Sequence, residues 1–300
     1  MQASNFSFSE AFERNFGLVS KDEQEKLAGS RIAVAGCGGV GGVHAHTLVR
    51  LGIGKFTLAD PDFFSLANFN RQIGATIETI GMQKAQVTAQ MIKSINPEAE
   101  VDVLEKGIDS NNVGTFLRGA SLVVDGVDFF ALPARRILLA EAWKRETPVL
   151  IAAPLGFSST LHIFSPPGMS FDEYFDLRDD QDPYEQYVNF LIGLAPSALH
   201  APYTDISTAD PASGRGPSSI IGSQMAACVA GGEALRILLN RGPSLCAPNY
   251  LQIDVYRRLL RSRKLRGGNR NLLQRAKKFV VKRYLERHGL DIALRALEPA

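Results

Sequence analysis

Short apolar runs rich in β-branched residues alternate with longer amphipathic stretches through the first half of the chain. Arg31–Ala35 (RIAVA) and Lys55–Ala59 read as buried strands, as do residues 101–104, 122–124 and 149–152, with a further strand at 160–164. Helical stretches lie between them. Ser20 followed three residues later by Glu23 is a capping box that opens a helix to about Ala28, and a second helix leaves a Gly-rich turn and runs to about Leu51. Residues 78–95 set Ile80, Val87, Met91, Ile92 and Ile95 at helical spacing before Asn96-Pro97 ends the pattern. Segments 111–117 and 131–144 read as two more helices. This alternation predicts an α/β fold with a doubly wound, mostly parallel sheet and helices on both faces.

The pattern then weakens. Residues 165–217 hold seven of the 15 prolines and a cluster of acids and aromatics, FDEYFDLRDDQDPYEQY. That density of helix breakers predicts a long, partly helical crossover segment, not a separate domain. A strong helical pattern returns at 218–239, Gly242-Pro243 lies beyond its end, and a strand follows at 250–255. The chain closes on a tail predicted helical over 272–297. The expected organisation is one domain over residues 1–256, including the crossover, and a basic C-terminal tail over 257–300.

Composition narrows the class. Three hundred residues with 45% apolar and 21% charged side chains are ordinary for a globular protein, which excludes fibrous and disordered chains. The most apolar stretch, residues 220–239, carries Glu233 and Arg236, so no membrane span is expected. The N-terminus lacks the basic and apolar regions of a secretory leader. Three cysteines cannot form a disulfide framework, and a cytoplasmic location is expected. The net charge of +2 conceals an asymmetry: from Arg257 onward 14 basic residues face 3 acidic ones, which leaves the preceding body acidic. A cationic amphipathic helix could touch nucleic acid or an anionic membrane, but a solvated role, or an intramolecular one packed on the acidic crossover at 172–185, is favoured.

Candidate chemistry begins at the Gly-rich turn. Gly36-Cys37-Gly38-Gly39-Val40-Gly41-Gly42 follows the first strand directly and opens a helix, and Gly36, Gly38 and Gly41 match G-x-G-x-x-G. Such a turn suits a Rossmann-like fold, offering free N–H groups and the positive end of a helix to an anion. Asp60 ends the second strand, 24 residues after Gly36, where an acid can hold ribose hydroxyls. Beyond Asp60 and Asp62 come Asn68-Phe69-Asn70-Arg71-Gln72 and then Lys84. Two cations just past the ribose acid suit a triphosphate better than a nicotinamide ring. No G-x-x-x-x-G-K-[ST] occurs, which excludes a P-loop protein.

These residues together resemble the ubiquitin-activating/ThiF-like superfamily of adenylyltransferases, which includes the activating enzymes of sulfur-carrier proteins in molybdopterin and thiamin synthesis. The resemblance runs from about Phe12 to Asp254. It is carried by FERNFG, GCGGVGG, the Asp-x-Asp at Asp60 and Asp62, NFNRQ, GMQKAQV, INPEAEV, VVDGVD and GPSSIIGSQMAACVAGGEAL. It implies ATP-dependent activation of a carboxylate, the C-terminus of a small ubiquitin-like carrier or peptide, as an acyl adenylate with release of pyrophosphate. On that resemblance, Gly36, Gly38, Gly39 and Gly41 form the nucleotide turn, with Asp60 and Asp62 beside it. Arg71 and Lys84 bind phosphates with support from Asn68 and Gln72. Asp128 holds Mg²⁺, and Arg14 reaches the site of the partner in a homodimer.

The departures are equally informative. No Cys-x-x-Cys pair exists, so no structural zinc is expected, and residues 165–217 contain no cysteine to carry a thioester. Cys228 is expected in core packing, Cys37 to act through its backbone, and His162 to have no role. Asp125, which like Asp128 follows the fourth strand, is expected to cap the next helix. Other readings are a tRNA-modifying dehydratase that adenylates a nucleoside carboxylate, an NAD-dependent oxidoreductase, and a non-catalytic partner subunit.

Overall fold

The computed structural model describes residues 6–243 and 245–297. The first five residues of the N-terminus read above and the last three of the basic tail lie outside the described residues. In chain order the elements are α1 (Phe8–Ala11), α2 (Lys21–Gly29), β1 (Arg31–Ala35), α3 (Gly41–Arg50), β2 (Lys55–Ala59), α4 (Lys84–Ile95), β3 (Glu100–Leu104), α5 (Val113–Phe116), β4 (Leu122–Asp125) and α6 (Leu132–Lys144). There follow β5 (Val149–Leu155), β6 (Ser158–Phe164), α7 (Phe171–Phe175), α8 (Pro183–Leu194), α9 (Ile220–Leu238), β7 (Asn249–Asp254), β8 (Leu259–Lys264), α10 (Leu272–Arg287) and α11 (Leu290–Arg295).

One eight-stranded sheet runs in the order β3-β2-β1-β4-β5-β6-β7-β8. Strands β1 to β5 pair in parallel, and β6, β7 and β8 add an antiparallel extension. The doubly wound, mostly parallel architecture is as expected. β1 lies between β2 and β4, so the chain leaves β1 toward one face and β4 toward the other. The crevice between those two exits is where open α/β sheets bind ligands. On one face α3, α4 and α9 bury Leu48, Ile92, Ala226 and Ala230 against the sheet. The other face holds Phe116, Leu138, Phe175 and Phe190 from α5, α6, α7 and α8. Four of the five residues of β1 and of β2 are buried, which explains runs too apolar to alternate.

Several boundaries differ from expectation. The helix expected over 78–95 begins only at Lys84, because Gly81 takes a left-handed φ of +79° and Gln83 caps the helix by accepting from the backbone N–H of Gln86. The segment read as tail starts with β8, a strand that its sequence pattern does not announce. A tight turn through Arg258 (φ +55°) folds it back onto β7, and β7 supplies the hydrogen bonds. The tail helix also breaks at Gly289, whose left-handed φ separates α10 from α11.

The tail packs on the crossover, the intramolecular of the two roles favoured from its charge. Lys278 and Lys282 pair with Glu185, Arg295 pairs with Asp182, and Arg270 lies 3.6 Å from Glu173. Leu285, Leu290 and Leu294 enter the same core as Phe190 and Leu194. Among the described residues no helix is long and apolar enough to cross a membrane.

Candidate active site

The turn after β1 is built by close backbone approach. Gly36 has φ +84°, and a Cβ there would stand 2.3 Å from the carbonyl oxygen of Gly126. A Cβ on Gly41 would stand 1.7 Å from the carbonyl oxygen of Gly36, so this third glycine serves packing and does not line the cavity. A Cβ on Gly38 or Gly39 would meet only the side chains of Gln72 and Arg71, at 3.5 Å, in ordinary van der Waals contact. Asp60, only 4% exposed, locks the turn to β2: its Oδ2 accepts from the Cys37 N–H at 2.6 Å and its Oδ1 from the Asp62 N–H at 2.8 Å. Burial pushes the Asp60 carboxyl above the usual range, while the two N–H groups and Lys84 pull it back. Cys37 therefore acts through its backbone, and its buried thiol is pushed up in pKa.

The two cations meet at this turn. Lys84 is the first residue of α4, and its buried ammonium lies 2.8 Å from Asp62 Oδ2. Arg71 donates to the Ala67 carbonyl and to Asn70 Oδ1, both at 2.8 Å, and Asn70 Nδ2 donates to the Ser218 carbonyl at 3.0 Å. Burial lowers the pKa of the Arg71 guanidinium, and the charge of Asp128 opposes that shift. Gln72 lies against Gly38 with its Oε1 buried and unpartnered by protein. Asn68 instead turns inward, accepting from Ser65 N–H at 3.0 Å, and does not line the cavity.

At the end of β4 the acids divide differently from the sequence expectation. Asp125 caps no helix. Its Oδ2 accepts from Arg135 Nε at 2.6 Å in a buried ion pair, and its Oδ1 accepts from the Val127 N–H. The reason is α6, whose buried stripe Leu132, Arg135, Leu138, Leu139 brings a guanidinium beneath the β4 turn. Asp128 is the acid that turns the loop, accepting from the Phe130 N–H at 2.9 Å through Oδ1, and it is exposed. Arg135 also donates to the carbonyls of Val127 and Asp128.

A cavity of about 510 Å³ gathers Gly36, Gly38, Gly39, Asp60, Asp62, Arg71, Gln72, Lys84 and Asp128. Arg14 is not among its lining residues; it is exposed on a short 3₁₀ turn, Glu13–Asn15. Cys228 is not in the core as expected but exposed on α9, because the small residues Ala226, Ala227, Ala230 and Ala234 form the face that meets the sheet. His162 is buried in β6 with Nε2 2.9 Å from the Leu194 carbonyl, and burial lowers its pKa to about 4. Sequence reasoning missed Arg135, Gly126 and the crossover residues Phe190, His200 and Thr204 that line the cavity. The first two carried signals: an Arg in register with three leucines, and a Gly following a strand. The crossover residues carried none, since no periodicity ties them to the sheet.

A Gly-rich turn at the switch point, a buried acid closing β2 and two cations lining the same cavity mark a protein of the doubly wound α/β class with a candidate ligand site at its switch point. The chain belongs to the ThiF family, whose model matches residues 12–274. That match extends beyond Asp254 to the start of α10. It is 35% identical over 153 residues to the tRNA threonylcarbamoyladenosine dehydratase of Escherichia coli, covering 49% of this chain and 56% of that protein. To the ThiS adenylyltransferase of the same organism it is 32% identical over 149 residues, covering 50% and 59%. The chain thus spans less than two thirds of the length of these curated relatives. In fold it is similar to the solved E. coli tRNA N6-threonylcarbamoyladenosine dehydratase in complex with ATP, with TM-score 0.57, 23% identity and coverage of 78% of this chain and 95% of that one.

Proposed function

We propose that this chain is an ATP-dependent adenylyltransferase that converts a carboxylate, the C-terminus of a small ubiquitin-like carrier protein or peptide, into an acyl adenylate. The observation that carries the reading is the convergence of Asp60, Arg71, Lys84 and Asp128 on one cavity over the Gly-rich turn. Asp60 spends one lone pair of each oxygen on the turn and retains others for ribose hydroxyls. The α3 N-terminus and the cavity-lining backbone of Gly38 and Gly39 receive phosphate. A carboxylate oxygen attacks the α-phosphorus, a new O–P bond forms, the α–β bridging bond breaks, and pyrophosphate leaves. Arg71 and Lys84 neutralise charge growing on that leaving group. The attacking group is ionised at neutral pH, so no general base is required.

Among the described residues no three acids, histidines or cysteines form a metal cage. Mg²⁺ needs none, because it commonly binds through one or two carboxylates plus substrate phosphates. Asp128 fits that donor set, since Oδ1 is engaged by Phe130 N–H while Oδ2 is uncommitted. Bound there, Mg²⁺ would supply charge neutralisation at the α–β bond.

The test is exchange of labelled pyrophosphate into ATP by the full chain with Mg²⁺ and a candidate carrier peptide. A second reading is supported by the 35% identity to a tRNA-modifying dehydratase: the carboxylate is then carried on a nucleoside, and exchange depends on tRNA in place of peptide. Exchange with neither substrate would sink both. Replacing Cys228 with Ser is expected to leave exchange within twofold of the parent protein, because the thiol is exposed on α9 away from the cavity.

Arg14 tests the homodimer. It lies outside its own cavity, which supports action in the partner's site. Mixing inactive Arg14→Ala and Asp128→Ala chains makes half the dimers mixed. Each mixed dimer has one repaired site, so roughly a quarter of the original activity should return. No recovery, with subunit exchange verified by tags, would confine Arg14 to a surface charge.

A further inference from the structure

The far end of the cavity differs in kind from the phosphate cradle, and strand order sets its direction. Along β3, β2, β1, β4 and β5 the lining passes from Ile108 to Asp60, to the Gly-rich turn, to Asp128, and then to Pro154, Leu155 and Gly156. A nucleotide with its ribose at Asp60 and phosphates over Gly38 and Gly39 leaves its base on the β3 side. The acyl group joined to its α-phosphate then lies on the β5 side, under the crossover.

That end is walled by Phe130, Phe190, Leu194, Ile206, Leu290 and Leu294. The last two come from α11, which packs against α8 and the 3₁₀ turn Pro211–Ser213 of the crossover. Tyr187 Oη donates to the Phe130 carbonyl and pins that part of the wall. Among the described lining residues, charge at that end is absent or already matched. The Arg135 guanidinium, 4.8 Å from the Phe190 ring, is paired with Asp125. Burial lowers the His200 pKa, with the charge of Asp254 opposing. Lys278, Lys282 and Arg295 of the tail pair with Glu185 and Asp182 and do not line the cavity. A charged segment lodged at this end would have no counter-ion, and burying it would be costly.

Resting on the adenylation reading above, we infer that the activated carboxylate is carried on an uncharged, apolar segment, and that helix α11 forms part of the pocket that selects it. The basic tail then has two faces with separate tasks: cations that fasten it to the acidic crossover, and leucines that complete the acyl pocket.

The experiment is hydroxylamine trapping with the full chain, ATP and Mg²⁺, reading acyl hydroxamate and AMP. The probes are butyrate, octanoate, succinate, a hexapeptide ending in Gly-Gly and one ending in Val-Leu. Octanoate and the Val-Leu peptide are expected to exceed succinate and the Gly-Gly peptide by about tenfold or more in kcat/KM, the discrimination a single methylene can give in an apolar pocket. Leu294→Trp should move the preference among fatty acids to shorter chains and Leu294→Ala to longer ones, each with ATP binding retained by calorimetry. Equal or better use of succinate or the Gly-Gly peptide overturns the inference and leaves adenylation standing. Hydroxamate from no apolar probe, by a chain that binds ATP, overturns it as well. Failure of the parent chain to bind ATP removes the adenylation reading itself.

Discussion

Arg71→Ala is expected to lower pyrophosphate exchange by about 10³-fold, the scale of an arginine that stabilises charge on a transferring phosphoryl group. Lys84→Ala and Asp128→Asn should each remove most of the exchange too. The physical basis is that all three line one cavity, and in the proposed reaction they would neutralise charge developing on the leaving pyrophosphate. The fold should survive each change. Among the described residues the Arg71 side chain hydrogen-bonds only to Ala67 and Asn70 beside it, Asp128 is exposed, and Lys84 leaves behind an Asp62 carboxylate that is 64% exposed. Thermal melting checks this alongside the exchange assay. Normal exchange by Asp128→Asn would remove Asp128 from the metal assignment, and normal exchange by Arg71→Ala would refute the phosphate cradle.

Arg135→Met should produce the largest loss of stability, about 3–5 kcal/mol, because it strands the Asp125 charge in the protein interior. Asp125 has a side chain with no exposure and Arg135 one of only 5%, so solvent cannot replace the lost partner. For a chain of this size the melting temperature should fall on the order of 10 °C. Adding Asp125→Asn to Arg135→Met should return much of that loss, since the orphaned charge is then gone. A double variant no more stable than Arg135→Met would show that the cost lies in packing against Phe190 and not in the ion pair. Arg135 also holds the carbonyls of Val127 and Asp128, so kcat should fall in the single variant even at temperatures where it is folded. That is the mark of a positioning residue.

The relation of sequence to site can be followed residue by residue. Gly36, Gly38, Asp60 and the strand before each were legible because a buried parallel strand and the turn leaving it impose local demands. One is an apolar run with no alternation, and another is a glycine where φ must be positive. Lys84 and Arg71 were legible as charges near that turn, yet the roles of their neighbours were not. Asn68 caps its own turn, and Asp62 holds Lys84, arrangements set by how residues 60–84 fold back on themselves. Asp125 and Asp128 look alike in VVDGVD. Only the approach of α6, with Arg135 on its inner face, separates a buried structural acid from an exposed one. Cys228 was misplaced for a related reason. In a helix apolar on nearly every side, the buried face is chosen by its neighbours, and the sheet takes the face lined with alanines.

By itself the sequence determined the alternation of strands and helices, the Gly-rich turn, the acid that closes β2, the absence of Cys-x-x-Cys pairs, and the opposite charges of crossover and tail. Each of these is a property of residues close together in the chain, or of composition. The tertiary structure alone decided which acid at the β4 turn is neutralised, which face of α9 is buried, that β8 joins the sheet, and that leucines of α11 wall one end of the cavity. Those outcomes depend on contacts between separate elements, whether ten residues apart in the chain, as Asp125 and Arg135 are, or far more distant. Burial and ion pairing across such distances are settled by where the sheet brings the segments together, and no local pattern encodes it.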